Sequence, residues 1–262
     1  MTDTPSDSYL DRFGGIGRVL GVRGLETLRT SCVMIIGLGG VGSWTAEALA
    51  RTGVGKLILV DLDDVCVTNT NRQVLATQET IGRNKAEVMA ERVRAISHEI
   101  EVVAIQDFYT PSNAEALLGM DIDLVVDAID AYRDKRDLIV RAHTQGIPLV
   151  VVGGAGGRID ASRIRCDDLN RTQGDALLRR LRSDLRGTPH FDRKRTWKIP
   201  TIYTDEQRRF PSADGETCDI PNPNARMDCR TGMGALTWVT GTMGFWAAQA
   251  AVEQLLKRAE SA

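Results

Sequence analysis

The sequence lacks the spacings that build metal and disulfide centres. Its five cysteines stand at 32, 66, 166, 218 and 229, and no two form a CxxC pair. Neither a zinc tetrad nor a disulfide framework is therefore legible. The three histidines, 98, 143 and 190, have no Cys or carboxylate at ligand spacing and read as non-catalytic. Charge of one sign is also lacking: 33 Lys plus Arg against 35 Asp plus Glu gives a net −2. This excludes polyanion binding driven by total charge and leaves room for a local basic patch. No internal repeat or low-complexity tract stands out. Residues 1–11 are polar with three Asp, unlike a signal peptide, so a reducing cytoplasmic compartment is expected. One stretch, 233–252, nears membrane length, but Thr237, Thr240, Thr242, Gln249 and three glycines dilute it. It reads as a helix buried in the core or in a subunit interface, with membrane association disfavoured.

The first half of the chain alternates short apolar runs with helical patterns. Strands are expected at Cys32–Ile36, Leu57–Val60, Val102–Ile105, Leu124–Val126 and Leu149–Val152. Helices are expected at Val41–Thr52, Lys85–Ile96 and Arg133–Thr144. This rhythm predicts an α/β fold: a doubly wound, mostly parallel Rossmann-like sheet with helices on both faces. The second half breaks the rhythm. A strand at Ile164–Cys166 and a helix at Asp175–Leu185 are followed by 186–229, rich in proline and read as irregular. One domain over 1–262 is expected, with a nucleotide-binding core at 12–160, a substrate-side segment at 161–230 and a C-terminal helix at 231–258.

Gly37-Leu38-Gly39-Gly40-Val41-Gly42 follows a strand and opens a helix. Gly37 allows the tight turn, Gly39 and Gly40 admit phosphate to the backbone, and Gly42 permits close helix–strand packing. The free N–H groups of the helix start favour an anion. Asp61 closes the second strand, where a carboxylate meets ribose. These glycines also satisfy the NAD fingerprint, so the loop alone leaves NAD and ATP both open. The downstream residues favour ATP. Asp63, Asn71, Arg72, Gln73, Lys85, Asp127 and Asp130 bring cations and further carboxylates to the carboxyl edge of the sheet. Arg72 and Lys85 offset the growing charge of a departing pyrophosphate, and a carboxylate at this edge can hold Mg²⁺.

Gly37–Gly42, Asp61-x-Asp63, Asn71-Arg72-Gln73, Gly82-x-x-Lys85 and Asp127-Ala-Ile-Asp130 resemble the E1-like, ThiF-type superfamily of adenylating enzymes. Arg12-Phe-Gly-Gly, Val65-Cys-Val-Thr-Asn-Thr-Asn-Arg-Gln73, Gly153-Gly-Ala-Gly-Gly157 and Arg226-Met-Asp-Cys229 narrow this to a resemblance to the tRNA threonylcarbamoyladenosine dehydratase family. The resemblance implies that the threonine carboxylate on tRNA adenosine 37 is adenylated by ATP with Mg²⁺ and then cyclised. It assigns Gly37, Gly39, Gly40, Gly42, Asp61, Asp63, Asn69, Asn71, Gln73 and Asp127 to ATP, and Arg72, Lys85 and Asp130 to ATP and catalysis, Asp130 also to the metal. Cys229, at the place of a crossover-loop cysteine, is a candidate for covalent catalysis, balanced against a buried structural cysteine. Arg12 or Arg18 is the candidate for an arginine lent across a homodimer. The family also allows a monovalent cation, Na⁺ or K⁺, and a sulfur-relay partner from a cysteine desulfurase system.

A tRNA substrate calls for a basic surface. Arg179, Arg180, Arg182, Arg193, Lys194 and Arg195 are the candidate phosphate contacts, weighed evenly against a merely solvated helix face. Trp197 and Tyr203 are candidates for base stacking or for buried anchors. The competing activities are adenylation of a sulfur-carrier protein C-terminus, disfavoured by the lack of paired CxxC motifs, and NAD-dependent oxidoreduction. A non-catalytic nucleotide sensor is the remaining alternative.

Overall fold

The two faces of one strand set the architecture. Along β1 (Cys32–Ile36), every residue is buried. Val33 and Ile35 enter one hydrophobic cluster, and Met34 and Ile36 enter another. Successive side chains of a strand point to opposite faces, so a continuous apolar run demands helices on both sides. The computed structural model describes residues 5–212, 214–220 and 233–261. In it, β1 pairs in parallel with β2 (Lys56–Val60) on one side and with β4 (Leu124–Asp127) on the other. Beyond β2 lies β3 (Glu101–Ile105), and beyond β4 lies β5 (Leu149–Val152). Next come β7 (Pro200–Thr204), also parallel, and β6 (Ile164–Asp168), antiparallel at the edge. The order β3-β2-β1-β4-β5-β7-β6 reverses direction between β1 and β4. Ligands of open α/β sheets bind at such a reversal, outside the carboxyl ends.

One face is covered by α1 (Asp7–Thr30), α2 (Gly42–Arg51), α3 (Lys85–Ile96) and α7 (Thr237–Ser261). The other is covered by α4 (Ala114–Leu118), α5 (Tyr132–Thr144) and α6 (Ala176–Leu185). Helix α7 packs on α2 so closely that a Cβ at Gly244 would stand 2.6 Å from Trp44 Cβ. Thr45 Oγ1 donates to the Gly244 carbonyl at 3.2 Å. No helix among the described residues is long and apolar enough to cross a membrane. The stretch 233–252 instead buries Val239, Met243 and Ala247 in the core while Trp238, Phe245 and Trp246 stay on the surface.

Two features correct the sequence-based expectation. Segment 186–229 was expected to be irregular, yet it supplies β7, inserted between β5 and β6, and a small hairpin of β8 (Phe210–Pro211) and β9 (Thr217–Cys218). Proline is tolerated as the first residue of a strand, which is where Pro200 sits. Helix α1 was not expected at all. It is capped by Ser6, whose hydroxyl accepts from Tyr9 N, and it breaks at Gly21, where φ is +77°. Its Tyr9 and Phe13 are buried against the Gly53 turn that leads into β2, at the amino edge of the sheet.

The Tyr9 hydroxyl donates to the Gly53 carbonyl at 2.6 Å. Burial pushes its phenol from 10.0 up to about 12. A folded value above the unfolded one means the contribution to stability is intact below the unfolded value and is lost as pH rises through the folded one. Tyr9→Phe should therefore cost about 1 kcal/mol near neutral pH. It should also flatten the loss of stability between pH 10 and 12, as read from urea midpoints across that range.

Candidate active site

The turn after β1 is shaped by three backbone approaches. Gly37 adopts φ +91°, and a Cβ there would come within 2.9 Å of the Ala128 carbonyl after β4. A Cβ at Gly42 would overlap the Gly37 carbonyl oxygen. Gly39 differs from both, since a Cβ there would meet nothing and point into open space. Helix α2 begins without a side-chain cap, its Ser43 N bonded to the Gly39 carbonyl at 3.2 Å, and the positive end of its dipole lies at this turn. Ser43 Oγ, one residue into the helix, is buried without a partner among the described residues.

Asp61 sits where β2 ends and is 6% exposed. Its Oδ2 accepts from Leu38 N at 2.6 Å and its Oδ1 from Asp63 N at 2.9 Å. Burial raises its pKa, against the pull of Lys85 and these two N–H groups. Lys85 opens α3 behind the Asn84 cap and reaches back, its Nζ 2.7 Å from Asp63 Oδ2 and 3.9 Å from Asp61 Oδ1. Asn84 Nδ2 also donates to the Leu62 carbonyl at 3.0 Å, which fixes the Asp61–Asp63 turn against α3.

The Val67–Gln73 loop delivers Arg72. Arg72 Nη1 donates to the Thr68 carbonyl at 2.8 Å and to Asn71 Oδ1 at 3.0 Å. Its Cδ lies about where a Gly40 Cβ would touch it, at 3.4 Å, so the arginine lies along the glycine turn. The Arg72 carbonyl accepts from Trp44 Nε1 (3.1 Å) and from Thr240 Oγ1 (3.2 Å). Asn69 is buried and its Oδ1 accepts from Cys66 N at 3.0 Å, while Gln73 Oε1 is buried with no partner among the described residues. Asn71 turns away to donate to the Ala235 carbonyl at 3.0 Å.

Asp127 needs a correction as a nucleotide ligand. It has no exposed surface, its Oδ1 is paired with Lys135 Nζ at 2.9 Å and with Ile129 N at 3.0 Å, and its Oδ2 is buried without a partner among the described residues. Burial raises its pKa and Lys135 opposes the rise. Asp127 braces the loop that carries Asp130, which is exposed at the carboxyl edge. Sequence inspection missed Lys135, whose signal was a lysine on the buried face of α5 with Leu138, Ile139 and Ala142. Ser43 and Asn84 carried no comparable signal.

Arg12 and Arg18 are exposed on α1. Arg12 bonds only locally, to Ser8, among the described residues. Cys229 lies outside the described residues. Arg179, Arg182, Arg186 and Arg193 line one pocket of about 470 Å³ with Ser183 and Gly187. Lys194 and Arg195 are exposed on the next loop. Arg180 stacks 3.9 Å over Tyr132, just past Asp130. Trp197 and Tyr203 are buried, at 3% and 7% exposure, so they are anchors rather than base-stacking platforms.

Residues 15–262 match the model of the ThiF family. The chain is 42% identical over 264 residues to the tRNA threonylcarbamoyladenosine dehydratase of Escherichia coli (strain K12), covering 99% of this chain and 98% of that one. It superposes on a solved structure called TcdA (CsdL) with a TM-score of 0.90 at 40% identity, covering 98% of each chain. The E. coli dehydratase in complex with ATP gives a TM-score of 0.87 at 38% identity, with 99% of each chain covered.

The glycines separate folding from ligand binding. Gly39→Ala should leave the unfolding midpoint nearly unchanged and weaken ATP binding by about tenfold or more, since its methyl takes space that phosphate needs. Gly42→Ala should cost about 3 kcal/mol or more, because the overlap is with backbone that cannot yield. Calorimetric ATP titration and denaturant unfolding of both variants check this.

Proposed function

The chain belongs to the ThiF family, among its tRNA threonylcarbamoyladenosine dehydratases, and we propose that it uses ATP to convert N6-threonylcarbamoyladenosine at position 37 of tRNA to the cyclic form. The observation that carries this reading is likeness to an ATP-bound dehydratase over nearly the whole chain. Sulfur-carrier activation and NAD-dependent oxidation are not favoured beside it.

In this reading a threonine carboxylate oxygen attacks the α-phosphorus of ATP and pyrophosphate leaves. The ureido group then attacks the activated carbonyl, a five-membered ring closes, and AMP leaves with the proton released to solvent. The tRNA nucleoside loses one water. Closure within one molecule brings an effective molarity on the order of 10⁵ M or more, so no protein nucleophile is required. Cys229 is accordingly not needed for the ring closure.

The glycine turn and the uncapped α2 start receive the phosphates, with the open side of Gly39 as the fit. Asp61 holds the turn through Leu38 N and faces the ribose. Arg72 has Nε and Nη2 without partners among the described residues and offsets pyrophosphate charge. Lys85 meets phosphate by exchanging its half-exposed partner Asp63. Asp130 is the exposed carboxylate available to Mg²⁺, an ion commonly held by one or two carboxylates plus substrate phosphates. That ion would neutralise phosphate charge.

The arginine pocket of α6 and the neighbouring Arg180 grip tRNA phosphates beside this edge. The protein acts as a homodimer in the cytoplasm. Support for the dimer comes from apolar side chains left on the surface of α1 and α7: Val19 is 81% exposed, Val22 84% and Phe245 51%. A partner's Arg12 or Arg18 would complete the site. A sulfur-relay partner and a monovalent cation rest on the family resemblance alone.

The purified protein, given ATP and threonylcarbamoylated tRNA, should produce a nucleoside lighter by one water by mass spectrometry. Asp130→Asn should lower turnover by about a hundredfold, in line with loss of a charge-stabilising group. Arg179→Glu with Arg193→Glu should raise KM for tRNA and flatten its salt dependence without changing KM for ATP. Unchanged nucleoside mass with wild-type protein would reject the reaction.

The dimer has its own check. Phe245→Asp with Val22→Asp should shift sedimentation from twice the chain mass to 28.7 kDa. Wild-type protein sedimenting as a monomer would reject the shared site.

A further inference from the structure

A second cationic centre lies one strand over from the phosphate turn. The run Gly153-Gly154-Ala155-Gly156-Gly157 leaves the carboxyl end of β5 and ends in Arg158. Arg158 is 2% exposed, yet its Nε, Nη1 and Nη2 all lack hydrogen-bond partners among the described residues. Burial, and then the neighbouring Arg208, push its pKa down, and Asp175 and Glu206 push it up. Both carboxylates spend their oxygens elsewhere. Asp175 takes Gly154 N at 2.9 Å and Leu178 N at 2.9 Å. Glu206 takes Ile159 N and Asp160 N at 3.0 to 3.1 Å. The remaining nearby cation, Arg163, is paired with Asp205.

Arg208 is the outer member of the pair. Its side chain is 22% exposed, its Nη2 is 3.7 Å from Asp175 Oδ2, and its Nε is buried without a partner among the described residues. A Cβ at Gly154 would overlap that Nη2. The guanidinium end of Arg208 thus rests against the backbone at Gly154.

This centre is tied to the nucleotide side. Segment 234–238 joins them: Gly157 N donates to the Gly234 carbonyl at 2.7 Å, and Trp238 Nε1 to the Ile159 carbonyl at 2.7 Å. From the other side Asn71 Nδ2 donates to the Ala235 carbonyl at 3.0 Å, and Thr237 Oγ1 to the Asn71 carbonyl. The Arg72 loop and the Arg158 loop are therefore held to one short strap.

A buried guanidinium without an acceptor is costly, and its planar fork matches a carboxylate or phosphate in a bidentate pair. We propose that Arg158 and Arg208 form an oxyanion clamp that receives the threonine carboxylate of the substrate and presents it to ATP. This rests on the dehydratase reading above. The depth of Arg158 suits a small terminal carboxylate better than a phosphate within a polynucleotide backbone. Its position beyond β5, rather than at the β1 turn, separates it from the ATP phosphates.

The test compares tRNA bearing threonylcarbamoyladenosine with the same tRNA bearing unmodified adenosine 37. Wild-type protein should bind the modified tRNA more tightly. Arg158→Gln and, independently, Arg208→Gln should erase that difference and raise KM for modified tRNA by about tenfold or more. ATP affinity and affinity for unmodified tRNA should stay as in wild type. Arg208, being partly exposed, carries the test if the Arg158 variant does not fold. An equal fall for both tRNAs would assign the clamp to a backbone phosphate, and a fall in ATP affinity would assign it to pyrophosphate. Either result overturns the proposal, as does an unchanged preference for modified tRNA. Failure of the dehydratase reading itself is distinct, because wild-type protein would then turn over neither tRNA.

Discussion

The start of α2 can approach the end of β1 only because position 42 has no side chain. A Cβ there would occupy the place of the Gly37 carbonyl oxygen, and Ala128 closes in on both glycines from β4. Three backbones thus meet at the reversal between β1 and β4 without side chains between them. The free N–H groups of a helix are thereby delivered to the sheet edge, which is the condition for binding a phosphate there. Asp61 secures the same turn from β2 through Leu38 N. The width of the crevice is therefore set by backbone contacts, and polar side chains only decorate it.

Around this turn the charges divide into two kinds. Asp127 with Lys135, fully buried, is an internal pair that stiffens the loop before Asp130. Removing one partner of such a pair leaves an uncompensated charge in the interior, which is why these residues serve as braces and not as movable ligands. Asp63 with Lys85 is intermediate, with one buried and one half-exposed member. Arg72, Asp130 and Arg158 keep hydrogen-bonding capacity unspent among the described residues, each at the carboxyl edge. Groups that the fold leaves unsatisfied at that edge are the ones with something to offer a charged substrate.

Local pattern explains what the sequence revealed. Cys32–Ile36, Lys85–Ile96 and Leu149–Val152 were legible to the residue because apolar runs and helical spacing are properties of the segment itself. Strand β7 was not, since Pro-Thr-Ile-Tyr-Thr alternates no clear apolar face and becomes a strand only when β5 and β6 offer it edges. Helix α1 was obscured by Gly14, Gly15, Gly17, Gly21 and Gly24, which weaken the helical signal and mark its break. The geometry of the glycine turn was legible where a motif fixes spacing, as at Gly37–Gly42 and Asp61-x-Asp63. What depends on tertiary burial was not legible. Asp127 reads as a ligand in the sequence, yet its Oδ1 is engaged by Lys135 and Ile129 N in the interior, and Arg158 reads as an ordinary loop arginine.

The same logic accounts for the C-terminal helix. Thr237, Thr240 and the glycines of 233–252 lowered its apolarity below that of a membrane span. Gln249 pairs with Glu253 on the exposed face, while three of the diluting residues meet the Arg72 loop or α2. Thr240 holds the Arg72 carbonyl, Thr237 holds the Asn71 carbonyl, and Gly244 admits Trp44, whose indole N–H returns to the Arg72 carbonyl. A lipid-facing helix has no use for hydroxyls aimed at a polar loop, whereas a helix that positions an arginine requires them. Because the preceding strap also grips the Arg158 loop, one apolar helix fixes the distance between the nucleotide side and the β5 side of the crevice. Its composition follows from that positioning task.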